Sequence, residues 1–167
     1  MRVTGVLGQR GYNIESLTVA RTMDPVLSRM TITVDVEPNI RAQVIKQMNK
    51  LINVLQATDV TEGPGVNREL ILVRVRANQD SRTAILKEAE MFHARVVDSM
   101  SEDLLLEVTG DQEKLEEFTS LITGYGTVEL IRSGIVSMSL DNKKLRLSPP
   151  VPRGTVAEEA LQLQETE

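Results

Sequence analysis

Cysteine is absent from all 167 residues, so disulfides, thiolate nucleophiles and cysteine metal sites are excluded together. That absence is compatible with a reducing compartment. The one histidine, His93, has no second histidine beside it, which leaves metal or acid–base chemistry little to build on. Long apolar runs are missing as well. None approaches bilayer-spanning length, and the N-terminus carries no hydrophobic region of a signal peptide. These observations lead to the expectation of a soluble intracellular protein, without membrane contact. A net charge of −5 argues against a general nucleic-acid binder. What is present is enough apolar content, 41%, for the packed core of one medium domain or two small ones.

Val3, Val6 and Leu7 recur at helical spacing from Arg2 to Gln9, and Gly11 can close that helix. Asn13 to Ala20 reads as a strand, with Leu17 and Val19 on one face and Ile14, Ser16, Thr18 and Ala20 on the other. After a loop at Met23, Asp24 and Pro25, the stretch Arg29 to Val36 alternates, sending Met30, Ile32, Val34 and Val36 to one side. Pro38 opens an amphipathic helix carrying Ile40, Val44, Ile45, Met48 and Leu51. A further strand is expected over Asn53 to Thr61. The breaker-rich Glu62, Gly63, Pro64 and Gly65 then mark a domain boundary.

The second half repeats the rhythm. A strand over Leu70 to Arg76 leads into a helix over Ser81 to Phe92, with Ile85, Ala89 and Phe92 inward. Strands follow at Arg95 to Asp98 and Leu104 to Thr109. A helix with Leu115, Phe118 and Ile122 on one side, capped by Thr109 or Asp111, precedes a last strand near Thr127 to Ile131. The order is βαββαβ, and the first half reads αββαβ, one strand short at its N-terminus. The fold class expected is therefore α+β, with tandem ferredoxin-like βαββαβ modules at residues 1–62 and 66–137 and a flexible tail over 138–167. A module of this kind packs its helices on one face of the sheet. Its other face or its edge needs cover, which a second copy of the chain would supply.

No catalytic constellation converges. Asp98, Glu102, Asp103 and Glu107 read either as an acid–base pair or as a solvated hairpin edge, and Glu88 and Glu90 lie on the polar side of a helix. Gly5, Gly8 and Gly11 suggest close approach around a helix and turn, but no strand precedes them, so they form no nucleotide fingerprint. Tyr125, between two glycines, reads as packing. Arg10 and Arg29 suit an acidic partner surface or plain solvation. Asn13 offers an amide and a carbonyl, which can hold a small zwitterion or cap a turn. The chain reads as one that senses and docks.

The run Gln9, Arg10, Gly11, Tyr12, Asn13, Ile14, Glu15, Ser16, Leu17, followed by Leu27, Ser28, Arg29, Met30 and Thr31, closely resembles the small regulatory subunits of acetolactate synthase, also called acetohydroxyacid synthase. Arg68 to Leu70, Val96 to Asp98 and Ile131 to Gly134 extend the likeness over nearly all of Arg2 to Ser137. The resemblance implies an ACT module, a second ACT-like module and a homodimer. It also implies a non-enzymatic subunit that activates a separate catalytic subunit and transmits feedback inhibition by a branched-chain amino acid, usually valine. Thiamine diphosphate, magnesium and FAD would belong to that catalytic partner, and no cofactor to this chain. Gly11, Tyr12, Asn13 and Ile14 match the segment facing the effector across the dimer interface, with Asn13 foremost. Members of the family begin with a strand and a loop ahead of the first helix, whereas here Met1 and Arg2 already match the helix. Partner activation is accordingly favoured over intact feedback sensing. The location implied is the cytoplasm, or the plastid stroma if the source is a plant or alga. The alternative is a free-standing ACT-type amino-acid sensor or a structural dimer. A transcriptional sensor would need a helix-turn-helix, which neither terminus shows.

Overall fold

The computed structural model describes residues 2–126 and 128–141. The first module comprises α1 (Arg2–Gln9), β1 (Asn13–Arg21), β2 (Ser28–Asp35) and α2 (Pro38–Met48). Pro38 fits the first turn of α2 because its missing N–H would have no partner there. Leu7, Val44 and Met48 form the buried core, and Ile14, Ile32, Ile40 and Tyr12 pack around them. The strands pair antiparallel, which places both helices against one face of a two-stranded sheet.

Two expectations for this module are corrected. Ile14 opposes Val34 and Leu17 opposes Ile32, with a bulge at Glu15 between them. Opposed residues in an antiparallel pair point to the same side, so the extra residue turns Ile14 onto the face of Leu17 and Val19. Strict alternation had put it with Ser16 and Thr18. The bulge lets Ile14, at the start of the strand, reach the core. The second correction is the strand expected over Asn53 to Thr61, which is irregular chain. In the second module the last strand of the βαββαβ order hydrogen-bonds only to the first, and no strand of the described residues holds that first place here. A lone extended segment has no ladder to join. It is tied to α2 instead: the Asn49 side chain donates to Ala57 O at 3.0 Å and accepts from its N–H at 2.7 Å, while Arg41 meets Glu62 at 2.8 Å.

The second module runs β3 (Gly65–Arg76), α3 (Gln79–Met91), β4 (Arg95–Ser99), β5 (Asp103–Gly110), α4 (Gln112–Thr123), β6 (Val128–Arg132) and β7 (Val136–Ser139). Its strands lie in the order β4-β5-β3-β6, all antiparallel. β3 begins earlier than its apolar alternation suggests because Gly65 to Arg68 pair with β7, a strand that sequence patterning did not separate. Residues 138 and 139, expected to begin a tail, belong to β7. Leu140 follows, its N–H donating to Pro64 O at 2.9 Å, and residues 142–167 of that tail lie outside the described residues. Asp111, rather than Thr109, caps α4: its Oδ1 accepts the Lys114 N–H at 3.0 Å. Asn78 does the same for α3 through the Ser81 N–H at 2.8 Å.

The two cores differ in depth. Thirteen buried apolar residues fill the second, from Ile71, Val73 and Val75 on β3 to Leu115, Phe118 and Ile122 on α4, against three in the first. The rings of Phe92 and Phe118 meet at 5.3 Å, tilted by 55°. Stability is therefore concentrated in the second module.

His93 follows α3 with φ +54°, in the left-handed region. Its N–H donates to Glu90 O at 3.0 Å and the Ala94 N–H to Ala89 O at 2.7 Å, the paired bonds of a glycine-type helix stop. The histidine thus serves as a helix terminator. His93→Gly should stabilise the chain by about 1 kcal/mol, because glycine adopts this backbone without a Cβ clash. A higher thermal midpoint by calorimetry would show it.

Candidate functional site

The segment Gly11 to Ile14 joins α1 to β1, and its geometry is set by how that helix ends. The Tyr12 N–H donates to Leu7 O at 3.1 Å and the Gly11 N–H to Gly8 O at 3.0 Å. Gly11 lies at φ +75° between these bonds, so the chain reverses out of the helix through a residue with no Cβ penalty. Tyr12 then packs with Leu7 in the core, the hydrophobic contact that accompanies such a stop. Gly11 and Tyr12 thus have structural duties that hold independently of any ligand. Gly11→Ala should cost about 1–2 kcal/mol through its left-handed φ, read as a drop in urea midpoint.

Asn13 is exposed at the first position of β1, and among the described residues its side chain makes no hydrogen bond. Of the two readings open from sequence, turn capping is the one these bonds do not contain. The helix stop lies before it and the Glu15 bulge after it, so its backbone is fixed on both sides. Ile14 turns inward against Leu7, Val44 and Met48. Of the four candidate residues, Asn13 is the one whose side chain is both fully polar and exposed; Tyr12 is half-buried against the core. Arg10 and Arg29 are both exposed, and Gly5 and Gly8 have open space where a Cβ would stand.

Two of the acidic residues on the β4–β5 hairpin of the second module are ion-paired. Arg76 meets Glu102 at 2.8 Å and Arg95 meets Glu107 at 3.4 Å, while Asp98 accepts the Ser99 N–H at 2.8 Å. A solvated hairpin edge describes them. Tyr125 donates to Glu88 Oε1 at 3.4 Å, and burial first, then the Glu88 charge, raises its pKa above the ordinary 10.0. It is a packing residue that stays protonated at neutral pH. Among the described residues no three His, Asp or Glu side chains converge as metal ligands, and no helix is long and apolar enough to cross a membrane.

A concavity of about 310 Å³ lies beside the start of α4, lined by Arg68, Glu69, Asp111 and Ile135 among others. Glu69, 7% exposed, meets Arg132 there at 3.4 Å. Sequence reading missed this pair of a buried carboxylate and an exposed guanidinium. The partners are distant in the chain and come together only because β3 and β6 are neighbours. None of the Gly11 to Ile14 segment reaches this hollow.

Two family models match, one described as the small subunit of acetolactate synthase over residues 68–141, the other as the AHAS small subunit-like ACT domain over residues 1–56. The chain is 46% identical over 143 residues to the probable acetolactate synthase small subunit of Archaeoglobus fulgidus, covering 86% of this chain and 89% of that protein. It is 44% identical over 138 residues to the acetolactate synthase small subunit of Mycolicibacterium smegmatis, covering 83% and 81%. The crystal structure of the acetolactate synthase small subunit from Thermotoga maritima matches with a TM-score of 0.74 at 34% identity, over 82% of this chain and 86% of that one. The tandem modules, the helix stop at Gly11 and these likenesses agree: the chain belongs to the acetolactate synthase small-subunit family, the regulatory, non-catalytic component of that synthase.

Proposed function

We propose that the chain binds a branched-chain amino acid, valine foremost, at the start of β1, and does so as a homodimer in which two copies share the effector. The chain activates the catalytic subunit, and through that site it carries feedback inhibition of acetolactate formation. The observation that carries this reading is Asn13: exposed, fixed in place and unengaged, in the segment that matches the family's effector-facing residues. Its amide can donate to the effector carboxylate and its carbonyl can accept from the ammonium group. Apolar side chains supplied across the dimer would then select the branched side chain. Thiamine diphosphate, magnesium and FAD are assigned to the catalytic partner, which carries out the carbon–carbon chemistry, and the setting is the cytoplasm or a plastid stroma.

Regulation requires the effector to bind two holoenzyme states unequally, since equal affinity shifts nothing. An amino acid held between two copies supplies that inequality by favouring one mutual orientation. The open faces and edges of two small sheets supply surface for the pairing. Val19 is 44% exposed on the first sheet and Ile131 60% exposed on the second. Sedimentation equilibrium with and without valine tests the shared site. A dimer strengthened by valine is expected, and a monomer indifferent to valine would refute it.

A further inference from the structure

We propose that the corner at Ser133–Gly134 is the junction through which effector occupancy at the start of β1 reaches the second module. The inference rests on the effector reading above. Thr18 on β1 donates its hydroxyl to Ser133 O at 3.3 Å, a bond between residues of different modules. Gly134, at φ +80°, comes so close to β1 that a Cβ on it would lie 2.7 Å from Thr18 Oγ1 and 3.6 Å from Ser16 Cβ. Only a residue without a side chain permits that approach. The corner therefore reads the position of β1 directly.

Ser133 is held firmly from the other side. Its N–H donates to Leu70 O at 2.9 Å and its hydroxyl accepts the Leu70 N–H at 3.0 Å. Leu70 lies in β3, which is bonded to β5 along one side and to β6 and β7 along the other. A displacement of Thr18 is thus delivered to a strand anchored in the thirteen-residue core rather than absorbed by a free loop. On the first-module side, Ser16 donates to Thr33 Oγ1 at 2.9 Å, so the residues facing the corner move as part of the sheet. Asn13 begins the same strand, about 16 Å along it from Thr18 at the usual rise per residue. The Glu15 bulge lies between them. Pairing with β2 resumes at Ser16 and runs on through Thr18, so a pull on Asn13 by a bound effector is carried along a laddered strand to the corner.

Hydrogen exchange of the full chain with saturating valine tests the junction, with Thr18→Val and Gly134→Ala as variants. Thr18→Val removes one hydroxyl at nearly constant volume, so it reports on the junction even if Gly134→Ala folds poorly. In the unaltered chain, valine should slow exchange at Leu70 and Ser133 about fivefold or more, alongside slowing in β1. In Thr18→Val, slowing in β1 should remain while that at Leu70 and Ser133 falls to less than about twofold, and valine inhibition of the reconstituted synthase should weaken in parallel. Slowing confined to β1 in the unaltered chain would overturn the junction and leave the effector site standing. Equal slowing at Leu70 and Ser133 in both variants would overturn it as well. If valine slows nothing and inhibits nothing, the effector site itself is wrong and the junction falls with it.

Discussion

Asn13→Ala should raise the valine concentration needed for half inhibition of the reconstituted synthase by about 10- to 100-fold. A hydrogen bond to a charged group contributes about 1.5–3 kcal/mol, so the loss of even one of the two that Asn13 offers corresponds to that range of affinity. The substitution removes both the donor and the acceptor of a side chain that makes no hydrogen bond among the described residues. Its effect on folding should be small, since Asn13 is exposed and supports no neighbour. A thermal melt within a degree or two of the parent would separate lost recognition from lost structure. Asn13→Asp sharpens the test, because it keeps the side chain's size and its acceptor toward the ammonium group while removing the donor to the effector's carboxylate. Unchanged valine sensitivity in both variants would move the effector site elsewhere.

Phe118→Ala should destabilise the second module by about 3–5 kcal/mol. Phe118 is fully buried between α4 and the sheet, and its ring is one half of the contact with Phe92. Truncation removes the transfer energy of the ring and leaves a cavity that the flanking Leu115 and Ile122, held on the same helix, cannot fill. Small domains have about 5–15 kcal/mol to lose, so the module should unfold at markedly lower urea. Because the second module contains thirteen of the buried core residues, its loss should also expose β1 at the Gly134 corner. Equilibrium unfolding followed by circular dichroism reads the shift in midpoint. A change below about 1 kcal/mol would mean the core is not packed as described.

Most elements were legible because their signals are local. The 3.6-residue spacing of Val3, Val6 and Leu7, the proline opening α2, and the alternation of β2 each fix one element within a residue or two. What escaped depended on distant parts of the chain. β7 and the first residues of β3 pair with each other, and the alternation of Val136, Ser137, Met138 and Ser139 is too short, at four residues, to mark a strand without its partner. The segment over Asn53 to Thr61 erred the other way: its composition suits a strand, but it lacks a neighbour to bond with. Ile14 was put on the wrong face because a bulge leaves no mark in a simple alternation count.

The candidate site divides along the same line. Gly11 as a helix stop was visible in sequence, since a glycine after the last periodic residue is a local cue. The inward turn of Ile14 and the free amide of Asn13 were not, because they depend on the bulge and on what α1 and α2 cover. Gly134 carries no local cue beyond its place in the resemblance over Ile131 to Gly134. Its role as a contact with Thr18 arises from the packing of the two modules.

The most direct test of the account is acetolactate formation by the matching catalytic subunit, with and without this chain, across a valine titration. The chain should raise the rate, and valine should then lower it in a saturable manner. No change in rate on adding the chain would contradict its place as the regulatory subunit. Activation that no concentration of valine reverses would contradict the effector site at Asn13.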